Sequence, residues 1–128
     1  MTVSKAHFIL YVADQQRAME VYSKALGTTP TLHVKGMTEF TLGGAVLGLM
    51  PETSASRLLE ISLERFAVGR GTPRAEVYLV VDDPAQLHQR AIAAGATEIS
   101  PLTKRDWGHE AAYSLDPDGH VLAFAREL

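Results

Sequence analysis

The sequence predicts an α+β fold in which one supersecondary unit, βαβββ, is used twice, and four observations carry that expectation. The runs His7-Phe-Ile-Leu-Tyr-Val-Ala-Asp14 and Glu76-Val-Tyr-Leu-Val-Val-Asp-Asp83 are both apolar and β-favouring, and both end on an Asp able to cap a helix. Their starts and their caps are 69 positions apart in each case, so strand and helix recur in one register. Each is followed by a helical stretch closed by a glycine, Gly27 in the first copy and Gly95 in the second. Finally, Gly43-Gly44 and Asp116-Pro-Asp-Gly119 stand before equivalent last strands, 75 positions apart, which makes Gly48 and Ala123 equivalent places.

The first strand is expected over residues 7 to 13. In the helix that follows, Ala18, Met19, Val21, Tyr22, Ala25 and Leu26 recur at helical spacing, while Gln15, Gln16, Glu20 and Lys24 fall on the opposite face. Short strands are predicted at 31–35, 37–42 and 45–50, separated by Gly36 and by Gly43-Gly44. Between Arg57 and Ala67 the chain is apolar enough for a helix, although Leu59, Ile61 and Leu63 alternate as a strand would; a helical connector is the reading taken. Gly69 to Pro73 reads as a hinge. In the second copy, Val77 to Val81 is the strand, Asp83 the cap and Pro84 the first helical residue, where a missing N–H is harmless. Leu87, Ala91 and Ala94 mark its packed face, and strands follow near 97–100, 109–115 and 120–125.

With 128 residues, 46% of them hydrophobic, the copies are halves of a single domain spanning 1–128, about 5–52 and 74–127, joined by the connector 53–73. Twelve basic and fifteen acidic side chains give a net charge of −3 without long single-sign runs, so neither nucleic acid nor membrane is an expected partner. That balance leaves a small neutral or cationic ligand open. The absence of cysteine removes disulfides, thiolate metal sites and cysteine nucleophiles. Met1-Thr-Val-Ser-Lys-Ala carries no apolar signal core, and a cytoplasmic location is expected. There is no G-x-S-x-G elbow, phosphate-binding glycine loop or H-E-x-x-H helix.

Two βαβββ modules in about 130 residues, with Asp116-Pro-Asp-Gly-His120 before the last strand, resemble the vicinal oxygen chelate superfamily of glyoxalase I, extradiol dioxygenases and bleomycin-resistance proteins. The resemblance covers essentially the whole chain. It implies curved mixed sheets that form troughs around a cavity lined by residues 7–11, 46–50, 76–80 and 121–125, and a homodimer. In metal-dependent members, donors come from the first and fourth strands of each module, places that fall here on His7, Gly48, Glu76 and Ala123. Gly and Ala offer no donor, whereas a sulfur-free site needs three or four protein ligands. No metal or other cofactor is therefore expected; a metal, if bound, would use His7 and Glu76.

His7 suits a ligand, a general base or a hydrogen-bond donor, and equally a strand-start side chain satisfied by a backbone carbonyl. Glu76 heads an apolar strand, so it pairs, stays protonated or faces a wet cavity. If the troughs face as in relatives, the two could pair and relay protons, with Arg74 a rival partner for Glu76. Tyr11 and Tyr78 alternate in phase with them and join Gly48 and Ala123 as expected trough lining. Trp107, in Lys104-Arg-Asp-Trp-Gly-His109, needs core or ligand to cover it, and His109 shares its neighbourhood. His120 is expected to be exposed, while His33 and His88 join no constellation.

The expected function is binding of a small organic molecule, with His7 and Glu76 as polar anchors and Tyr11, Gly48, Tyr78, Trp107, His109 and Ala123 as ligand-binding positions. Sequestration of an antibiotic or metabolite is one version. The alternative is an enzyme of the superfamily, a lyase, isomerase or dioxygenase, using His7 and Glu76 with or without a divalent metal.

Overall fold

A computed structural model describes residues 2–128; Met1, the first residue of the segment read above for a signal, lies outside the described residues. The elements run β1 (Ala6–Val12), α1 (Gln15–Leu26), β2 (Leu32–Val34), β3 (Met37–Leu42), β4 (Ala45–Pro51), α2 (Glu52–Leu59), α3 (Leu63–Val68), β5 (Glu76–Val80), α4 (Pro84–Ala93), β6 (Thr97–Lys104), β7 (His109–Leu115) and β8 (Val121–Glu127). The double βαβββ order is present, with the connector folded as two helices. Contacts divide the chain into two compact units, one holding the chain through Met19 with Thr28–Gly69, the other Glu20–Gly27 with Arg70–Leu128. The division passes through α1, whose second half belongs to the second unit.

In the first unit the strands lie in the order β1-β4-β3-β2. β1 runs parallel to β4, the other pairs are antiparallel, and Ile9 lies opposite Gly48, which in turn lies opposite Glu39. Alternation then sorts the side chains. Leu10, Val12, Leu47, Leu49, Thr38 and Phe40 are buried on one face, whereas His7, Ile9 and Tyr11 on the other are exposed. At the start of α1, the Asp14 carboxylate accepts from the Arg17 N–H at 3.0 Å, as its capping role requires. Gln15 ties that helix start to the sheet, donating to the Val34 carbonyl at 2.7 Å and to Thr38 at 2.9 Å. His33, expected to have no constellation, lies 2.7 Å from Thr38 Oγ1 and 3.2 Å from Gln16 Oε1.

The connector departs from one helix because Glu60 takes a left-handed conformation, φ 55°, with Ser56 Oγ donating to the Ile61 carbonyl at 2.6 Å. A non-glycine residue there is strained by its Cβ, and nothing in the sequence advertised the stop. Glu60→Gly is expected to raise stability by about 0.5–1 kcal/mol, because glycine adopts this conformation without that penalty. A higher urea midpoint with an unchanged slope is the measurement that checks it; a lower one contradicts the strain.

The second unit repeats the first: strand order β5-β8-β7-β6, β5 parallel to β8, the rest antiparallel. Tyr78 lies opposite Ala123, just as Ile9 lies opposite Gly48. Both spacings seen in the sequence, 69 and 75, are therefore present in the registers. β6 extends through Pro101 to Lys104, beyond the strand expected near 97–100. As an edge strand with two register shifts it tolerates a residue that cannot donate.

On α4, Asp83 accepts from Gln86 N–H at 3.2 Å, and the buried stripe is Pro84, His88 and Ala91. Leu87 and Ala94, expected on that face, are half-buried, and His88, given no role by its polarity, takes the packed place. Its Nε2 lies 2.9 Å from Glu98, while Nδ1 has no partner among the described residues.

The Asp116-Pro-Asp-Gly-His120 turn is a second correction, since His120 is shielded, with a side chain 15% exposed. Asp116 is buried at its centre: Oδ1 accepts from the Asp118 and His120 amides at 2.9 Å each, and Oδ2 lies 3.0 Å from His120 Nδ1 and accepts from the Tyr22 hydroxyl at 2.8 Å. Burial alone would raise the Asp116 pKa, but the bond and charge of His120, with the Tyr22 hydroxyl and the His120 amide, outweigh it and hold the carboxyl below its ordinary value. Burial pushes the Tyr22 phenol well up, and the charge of Asp116 adds to it.

Candidate functional site

The second unit gathers three of the expected ligand-binding residues at one point. β7 begins at His109 after a turn in which Gly108 has φ 84°, and that turn carries Trp107 back over the sheet. The Trp107 indole N–H donates to the Tyr78 hydroxyl at 3.0 Å, and the same hydroxyl lies 2.7 Å from His109 Nδ1. An indole only donates, so the Tyr78 oxygen accepts from it, while the direction of the 2.7 Å contact with Nδ1 follows the imidazole tautomer. The Tyr78 and His109 rings stack, with centroids 5.8 Å apart and planes 24° from parallel.

Strand register supplies the rest of this face. Ala123, fully buried, lies opposite both Tyr78 and Tyr113, so a methyl group occupies the floor between two phenols. The Arg105 guanidinium sits 5.1 Å above the Tyr113 ring and is itself held by Ser100 Oγ and the Ala111 carbonyl, at 2.8 and 2.9 Å. Burial, with the charges of Glu76 and Tyr78 adding to it, raises the Tyr113 pKa against an opposing Arg105. Glu76 is exposed at the strand start and has no ion pair among the described residues, Arg74 included. Trp107 is 56% exposed, which removes plain core packing as its role.

The first unit holds His7, Tyr11 and Gly48. His7 Nδ1 lies 3.6 Å from Glu39 Oε2, a β3 carboxylate of the same unit. Glu39 was not singled out in the sequence; only the register, which sets it opposite Gly48, reveals it. A Cβ on Gly48 would come within 3.1 Å of Ile9 Cγ1 and 3.2 Å of Met37 Sδ, so this place is closed to a larger side chain unless those neighbours give way. Tyr11 meets Phe66 of α3 edge-on at 5.2 Å.

These residues do not fit a superfamily-type metal centre within either unit. The first unit brings together one imidazole and one carboxylate around a glycine; in the second, phenols flank an alanine, and Glu76 and His109 belong to no group of three metal-competent side chains among the described residues. Among the described residues, Asp116, Asp118 and His120 alone bring three metal-competent side chains within 4.8 Å of one another. Both oxygens of Asp116 are already engaged twice, as expected of a turn-stabilising carboxylate rather than a free ligand.

The model of the Glyoxalase/Bleomycin resistance protein/Dioxygenase superfamily matches residues 5–124. Among solved structures, the chain is similar to a glyoxalase-related enzyme from Fulvimarina pelagi, with 21% identity and a TM-score of 0.81 over 95% of this chain and 86% of that one. It is also similar to a glyoxalase/bleomycin resistance protein/dioxygenase family enzyme from Burkholderia phytofirmans PsJN, with 20% identity and a TM-score of 0.81 over 96% and 98%. A third is a glyoxalase/bleomycin resistance protein from Catenulispora acidiphila DSM 44928, with 21% identity and a TM-score of 0.67 over 98% and 100%. At such identities the likeness concerns the fold. No curated protein matches the chain. No helix is long and apolar enough to cross a membrane among the described residues.

Proposed function

The chain belongs to the Glyoxalase/Bleomycin resistance protein/Dioxygenase superfamily, and we propose that it binds a small organic molecule bearing a flat apolar part and a hydrogen-bond acceptor. The observation that carries this reading is the Trp107–Tyr78–His109 cluster: an indole 56% exposed, yet held in place by a hydrogen bond. An oriented aromatic surface loses little conformational freedom when a ring stacks on it. In this reading the His109 imidazole donates to the ligand and Glu76 accepts from it, while Ala123 keeps the floor shallow. The first unit, by itself, offers His7 with Glu39 as a polar anchor. A homodimer belongs to the same reading, supported by Phe8 at 65% and Val34 at 52% exposure.

Trp107 is the single tryptophan, so its fluorescence reports on this site directly. A compound screen is expected to yield ligands that both quench or shift this emission and raise the melting temperature. Tyr78→Phe, which removes the oxygen that joins indole and imidazole, should weaken such a ligand by about tenfold, the loss of one or two bonds. Wild-type affinity in Tyr78→Phe, or stabilising compounds that leave Trp107 silent, would sink the reading.

A second reading, a metal-free lyase or isomerase, is supported by the 2.7 Å Tyr78–His109 contact, a geometry suited to proton transfer. Under that reading a bound carbonyl compound exchanges its α-hydrogen with deuterated water, and His109→Ala abolishes the exchange.

A further inference from the structure

The turn between β2 and β3 carries Lys35 and Gly36, and α2 passes beside it: a Cβ on Gly36 would lie 3.4 Å from Ser54 Oγ. The first unit has a cavity of about 860 Å³ at this place. Its charged groups are Lys35 from the turn and Arg57 from α2, and its apolar surface comes from Met37, Met50 and Leu58. No carboxylate lines it, and neither cation has an ion pair among the described residues. Leu58 is 68% exposed at the mouth.

Two like charges from separate elements facing one volume repel each other, and an anion between them relieves that repulsion while gaining charge-assisted bonds. The thioethers that line the same cavity are soft and adaptable, suited to an irregular apolar chain. A neighbouring cavity of about 510 Å³ shares Lys35 but includes Asp14, so its charge is mixed and it lacks this preference. From two cations and two methionines lining one cavity we propose that the Lys35/Arg57 cavity binds a dissolved anionic amphiphile, its carboxylate, sulfate or phosphate between Lys35 and Arg57 and its apolar part against Met37, Met50 and Leu58. The proposal uses none of the residues of the Trp107 cluster and stands whether or not that reading does. It also runs against the overall charge of −3, which had favoured neutral or cationic ligands.

The probe is sodium octanoate, titrated into isotopically labelled full-length protein while backbone amide resonances are followed by NMR. Saturable shifts are expected at Gly36, Ser54 and Arg57, with binding weakened at higher salt. Octan-1-ol and acetate, which supply only the tail or only the head, should bind about tenfold more weakly or worse. The double variant Lys35→Gln/Arg57→Gln should lose about tenfold in octanoate affinity, whereas Lys24→Gln, an exposed lysine on α1, should lose none. Equal binding of octanol, an undiminished double variant, shifts confined to other residues, or the absence of saturable shifts at millimolar octanoate would each overturn the proposal. Trp107 emission is recorded in parallel, so failure here and failure at the aromatic cluster are read separately.

Discussion

Asp116→Ala is expected to lower the melting temperature by about 10 °C, the equivalent of about 3 kcal/mol for a domain of this size. The carboxylate is buried and accepts from two amides and the Tyr22 hydroxyl, with His120 Nδ1 beside it at 3.0 Å. Truncation leaves these groups without their partner, and a buried donor deprived of its acceptor costs more than the original bond contributed. Tyr22→Phe, which removes one of the contacts, should cost about 1 kcal/mol by the same reasoning. Urea unfolding of the three proteins at neutral pH tests this, and an Asp116→Ala midpoint within error of wild type would contradict it.

The same carboxylate predicts an acid response. Its folded-state pKa is lowered, so its contribution is present above the unfolded value, about 4, and is lost as pH falls through the lower folded value. Wild type should therefore lose stability more steeply than Asp116→Asn below about pH 4. Parallel curves for the two proteins between pH 5 and 2.5 would show that the group does not titrate as described.

Gly119→Ala is expected to destabilise by about 3 kcal/mol or more, through two effects that a paired substitution separates. Gly119 has φ 90°, a conformation costly for alanine, and a Cβ there would lie 2.6 Å from both Cα and C of Gly71. Backbone cannot rotate away as a side chain can. The close approach is fixed by the Gly71 N–H donating to the Asp118 carbonyl at 2.9 Å, which ties the hinge segment to the turn. Gly43 provides the comparison, with φ 55° and no atom within 4 Å of the point a Cβ would occupy. Gly43→Ala should cost about 1 kcal/mol, the conformational part alone. Similar losses at both positions would remove the steric part of the argument.

Much of the fold was legible because its signals are local. Apolar runs, capping aspartates and turn residues at two constant spacings define the elements, and the two strand registers, Ile9 with Gly48 and Tyr78 with Ala123, have the same spacings. The errors also have local causes. Glu60 ends a helix in a conformation that its side chain does not favour, and Pro101 sits within a strand that only its edge position makes acceptable. His88 and His120 are polar residues that burial patterns discount, yet each is shielded beside a carboxylate. Trp107 and His109 were singled out because a large aromatic in a polar stretch needs an explanation; Glu39 and Arg105 gave no such signal.

Taken alone, the sequence determined the repeated βαβββ order, which residues of the two opening strands share a face, and the absence of donors at Gly48 and Ala123. Periodicity of two sorts side chains between faces but says nothing about which lateral neighbour each one meets. Only tertiary structure decided that His7 lies beside Glu39, that Tyr78 joins Trp107 to His109, and that Lys35 and Arg57 line one cavity. Those pairings depend on register and on turn geometry between residues far apart along the chain.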